Sequence, residues 1–189
     1  TTMSTAASLR SGSGTLRLVE ASGLESASGA VTVVTSSVVS DGVSMRAMGE
    51  IRVSAASWTA ATGTVALASE SGSVMLNTPL MTGTGSVQVT GHDAVVVQDA
   101  VVCGGDVSLQ VTASVGSTIE MRSPVWSTRS GDIEVMARGG VVRMWGEVKT
   151  IGGRGTVRVE ADEIESGSAV SVQADKDVVV RGRWSMSGG

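Results

Sequence analysis

One short motif governs what this chain can become: a glycine, any residue, an aliphatic, any residue, a second aliphatic. It occurs as GTLRL from Gly14, GAVTV from Gly29, GEIRV from Gly49 and GTVAL from Gly63. It recurs as GSVQV from Gly85, GDVSL from Gly105, GDIEV from Gly131 and GTVRV from Gly155. The first aliphatic is Leu16, Val31, Ile51, Val65, Val87, Val107, Ile133 or Val157. The second is Leu18, Val33, Val53, Leu67, Val89, Leu109, Val135 or Val159. The residue between them is Arg17, Thr32, Arg52, Ala66, Gln88, Ser108, Glu134 or Arg158. Apolar and polar positions alternating at period two mark a half-buried strand. The glycine is expected at a corner, as the residue that reaches positive φ without penalty.

The motif returns every 14 to 26 residues, about 20 on average. Further runs follow it: SVMLN from Ser73, AVVVQ from Ala94, TIEMR from Thr118, VVRMW from Val141 and AVSVQ from Ala169. A third, shorter run closes many units: PLMTG, AVVCG, PVWST and EVKTI. A unit of two or three short strands cannot bury its apolar side alone; a stack of such units can. Each strand then pairs in parallel with its equivalent one coil on, about 4.8 Å away. An antiparallel sandwich also produces short, closely spaced strands. It does not demand the same residue class at the same offset from glycine eight times, and Asp41-Gly42 is the one Asn-Gly or Asp-Gly dipeptide present. The expected fold is therefore all-β: a parallel β-solenoid (β-helix) of roughly eight or nine coils of about 20 residues. The sixteen aliphatics are expected as two inner columns, stacked in chain order. Residues 1–13 read as an N-terminal segment or partial cap, and 14–189 as the solenoid repeats.

Composition agrees and removes other classes. Val, Ser, Gly and Thr make up 103 of the 189 residues, and Phe and Tyr are absent. No helical 3.6-residue pattern appears, and 41% hydrophobic content is too high for disorder. One cysteine cannot build a disulfide framework. A formal charge of −4 with scattered Arg argues against nucleic acid as partner. No apolar run approaches the roughly 20 residues needed to span a bilayer as a helix. The start is polar and lacks the apolar core of a signal peptide, and it is not Met. A processed product or a piece of a longer, exported protein is expected.

The stretches GTVALASESGSVMLNTPLMTGTG (Gly63 to Gly85) and GSVQVTGHDAVVVQDAVVCGG (Gly85 to Gly105) resemble repeats of the filamentous haemagglutinin type. These repeats belong to large secreted adhesins and exoproteins. The resemblance runs roughly from Gly14 to Gly182 and departs in having one Asn, Asn77. It implies a right-handed β-helix on an extracellular or cell-surface fibre, with a host-surface or glycan ligand as a possible partner.

Candidate chemistry is sparse. Gly-rich stretches such as Ile151 to Gly155 lack the Lys-Ser/Thr of a phosphate loop. His92 and Cys103 are single, so no zinc set can form; no metal or other cofactor is expected. His92 with Asp93 reads as an exposed corner pair, and Cys103 as a small buried or corner residue. Thr15, Thr64 and Thr156 share an offset but make no continuous threonine ladder. Trp58, Trp126, Trp145 and Trp184 read as falling at different offsets in their coils. Asp106 and Asp132 share an offset one coil apart, and Glu134 and Arg158 share the next outward position. Paired carboxylates could serve a glycosidase, and a base beside a cation could serve a lyase. The preferred reading is a solvated Glu134–Arg158 pair and aspartates that decorate a corner, with no catalytic residues. The expected function is structural, and end-to-end stacking into a homo-oligomer or filament is expected from open strand edges. The rival is a carbohydrate-active β-helix enzyme or a glycan-binding surface protein.

Overall fold

The computed structural model describes residues 2–3, 7–10, 14–18, 22–113, 115–122, 125–129 and 131–186. They form a parallel β-solenoid of about eight turns, at about 22 residues per turn. All strand pairs are parallel and join one coil to the next. Val107–Val111 lies between Val87–Gly91 and the start of Ile133–Thr150, as the repeat predicts.

Each turn has three faces. On the first, the inward column runs Val31, Ile51, Val74, Val95, Ile119, Val142, Ile164. On the second it runs Leu16, Val38, Trp58, Leu80, Val101, Trp126, Val148. On the third it runs Val43, Val65, Val87, Val107, Ile133, Val157. Of the sixteen motif aliphatics fifteen are buried, and Leu16 is half-buried against the same core.

They do not, however, form the two columns expected. The motif from Gly14 lies on the second face, those from Gly29 and Gly49 on the first, and the other five on the third. The intervals explain this. Steps of 15 and 14 residues, at Gly14–Gly29 and Gly49–Gly63, cover two faces rather than a full turn. Likewise AVSVQ belongs to the second face, where Val172 pairs with Val148, while the other four second runs share the first. Trp58 and Trp126 are also not scattered: both fill the second-face column, three coils apart.

The glycines work by closeness more than by φ. Among the motif glycines only Gly63 is at positive φ, 76°. Gly63, Gly85, Gly105, Gly131 and Gly155 instead stack at the corner between the second and third faces. There a β-carbon on Gly85 would overlap the Gly63 carbonyl oxygen, and one on Gly155 would stand 2.5 Å from that of Gly131. The corner is a backbone-on-backbone seam that side chains would wedge open.

A second seam is polar and internal. From Val38 to Val148, the next inward residue after each second-face column member is Ser40, Ala60, Thr82, Cys103, Thr128 or Thr150. Thr82 Oγ1 donates to Gly85 O at 2.8 Å and Thr128 Oγ1 to Gly131 O at 2.6 Å. Thr150 Oγ1 donates to Gly155 O at 3.1 Å and Cys103 Sγ to Gly85 O at 2.9 Å. Each bond ties the end of a strand to the glycine that follows it or stacks beneath it. Without such partners these buried hydroxyls would be destabilising.

The later coils turn more smoothly. Ile133–Thr150 and Val157–Gln173 are continuous strands that bend through corners at register shifts near Ala137/Val141 and Met144/Gly146. Thr2–Met3 and Ala7–Arg10 also pair in parallel with the following coil.

Candidate functional site

Asp106, Asp132 and the His92–Asp93 pair sit on outer corners, where hydrogen bonds engage them. Ser86, Asp106 and Asp132 lie one above another, just before the third-face strands. Ser86 Oγ accepts the Asp106 N–H at 3.1 Å. Asp106 Oδ1 accepts the Asp132 N–H at 2.9 Å, and Asp132 Oδ1 accepts the Thr156 N–H at 2.7 Å. Each side chain thus satisfies a backbone donor that the corner would otherwise leave to water. Both carboxylates aim along the stack at the next coil. Asp175 plays a similar part, with Oδ2 accepting the Gly153 N–H at 2.8 Å. Sequence reading missed this capping role, although the recurrence of Ser or Asp directly before a strand was the available signal.

Glu134 and Arg158 do pair across neighbouring coils, at 3.6 Å. With Asp132 and Thr156 they border a shallow depression of about 190 Å³. The pair is half-exposed and contributes a few tenths of a kcal/mol at the scale of about 0–1 kcal/mol for surface ion pairs. A denser set lies on the outer side of the first face. Glu120 takes Arg122 at 2.6 Å and Arg143 at 3.4 Å, while Arg143 Nε reaches Glu165 at 2.6 Å. The Glu165 hydrogen bond leads in raising the Arg143 pKa above its ordinary value. Alternating signs on three successive coils clamp the stack from outside.

His92 Nδ1 and Asp93 Oδ1 are 2.7 Å apart on an exposed corner between the third and first faces, as expected. Cys103 is buried in the second-face seam, where desolvation raises its pKa above 9.0. Its thiol is held between Thr82 and Gly85, and burial favours its neutral, weakly nucleophilic form. Among the described residues no group of three His, Cys, Asp or Glu side chains could hold a metal ion.

A larger concavity lies elsewhere. It is a groove of about 510 Å³ on the outer side of the third face, crossing four coils. Its floor is made by Gly23, Ser44, Ala66 and Ala68, and its sides by Glu25, Arg46, Gln88 and Thr90. The corresponding outward positions of later coils carry larger, mutually paired groups, such as Gln110 on Ser108 and Glu134 on Arg158. Small residues at alternate strand positions therefore create the groove. Among the described residues no aromatic side chain lines it. Neither a family model, nor a curated protein, nor a solved structure matches the chain.

Proposed function

We propose that this chain is a structural segment of an extracellular or cell-surface fibre or adhesin, of the filamentous haemagglutinin type and wound right-handed. It performs no catalysis. The observation that carries this reading is the continuous parallel ladder of about eight turns. Its apolar column ends on a last described coil where Val178, Trp184 and Met186 are 47%, 44% and 78% exposed. Such a coil offers unpaired strand edge and apolar surface to whatever stacks on it, whether a second copy or a longer parent protein. The engagement of Asp106 and Asp132 with backbone N–H groups supports a structural role for the residues an enzyme reading would choose.

Electron microscopy and sedimentation of the isolated protein test the proposal. Rods or filaments that lengthen with concentration are expected. A dispersed monomer at high concentration would count against end-to-end stacking. Polysaccharide cleavage that disappears in the Asp106→Asn/Asp132→Asn double variant would promote the carbohydrate-active enzyme instead. The groove over Ala66 and Ala68 favours one second reading, a glycan-binding surface. Its polar sides could meet the hydroxyls of a neutral oligosaccharide laid across the coils. Titration with neutral oligosaccharides, with Ala66→Trp as the blocked variant, separates the two readings.

A further inference from the structure

We draw no further inference here: the strongest candidate, the apolar depression of about 440 Å³ at the corner formed by Asp41, Gly42, Thr62, Gly63 and Thr64, adjoins the groove already described, and nothing in the structure shows what covers it.

Discussion

Replacing Gly85 by Ala isolates the glycine seam, because the methyl group has nowhere to go. Its β-carbon would overlap the Gly63 carbonyl oxygen and stand 2.7 Å from the carbonyl carbon, whereas ordinary contact begins at 3.4 Å. Both obstacles are backbone, so no rotamer change relieves them. The coils must part at this corner, which strains the bonds from Val65 N to Ser86 O and from Gly105 N to Gly85 O, each 2.9 Å. Losing two such bonds at about 1 kcal/mol each, with an overpacking cost of about 1–2 kcal/mol, gives a loss of about 3–4 kcal/mol. Urea unfolding followed by circular dichroism reads this as a midpoint lowered by about 1.5–2 M, for a slope near 2 kcal/mol/M. Two other glycines serve as controls. A β-carbon on Gly116 would meet no described atom within 4 Å, but the residue sits at φ 72°, so Gly116→Ala costs about 1–2 kcal/mol of backbone strain. A β-carbon on Gly23 would meet no described atom within 4 Å, and its φ is not positive, so Gly23→Ala is neutral or gains about 0.5 kcal/mol. If Gly23→Ala and Gly85→Ala unfold at the same midpoint, backbone closeness is not what these corners require.

Three further outcomes follow from the same geometry. Asp132→Asn keeps an oxygen for the Thr156 N–H and leaves stability within about 0.5 kcal/mol, while Asp132→Ala loses about 1 kcal/mol; equal unfolding midpoints for both variants would dismiss the capping role. Leu109→Ala, in a fully buried third-face position, costs about 2–5 kcal/mol in the same urea assay, and a loss below 1 kcal/mol would mean that the column is not close-packed. Cys103 gives a pH signature: its thiol is neutral in the fold and its pKa is raised by burial. Stability from this group is complete below the unfolded value near 9 and falls as pH rises toward the folded value, because only the unfolded chain ionises there. Cys103→Ser removes that alkaline loss, and an unchanged pH profile in the variant would refute the assignment.

The tryptophans show why some of the interior was legible and some was not. Trp58 Nε1 donates to Ser40 Oγ at 3.1 Å, and Trp184 Nε1 to Ser166 Oγ at 2.9 Å. In both cases the serine lies two residues beyond the tryptophan's partner in the preceding coil. Trp126 pairs with Val101, so the equivalent position is Cys103, and here the buried indole N–H has no partner among the described residues. A rule of this kind needs the second-face register, and that was the part the sequence concealed. Alternation of Val, Leu and Ile marks a strand on any of the three faces equally well. Coil lengths from 20 to 26 residues then leave the phase open wherever a motif skips to another face. Ser40, Thr82 and Thr128 were hidden for a different reason: hydroxyl residues near the end of a strand carry no apolar signal, although these are inward and hydrogen-bonded. What could be read directly was the strand content, the parallel pairing and the outward Glu134–Arg158 rung, because each follows from period two and a repeated offset.

Because each coil bonds only to the coils beside it, the molecule has an unusual response to tension. A pull applied to the two ends loads the outermost ladder first, and its bonds break in sequence from the edge, like a zipper. Every coil released frees about 22 residues, or about 70–75 Å of extended chain at roughly 3.4 Å per residue. Under a steady pull the rod would lengthen in discrete, nearly equal steps, dissipating work one turn at a time while the remaining turns stay wound.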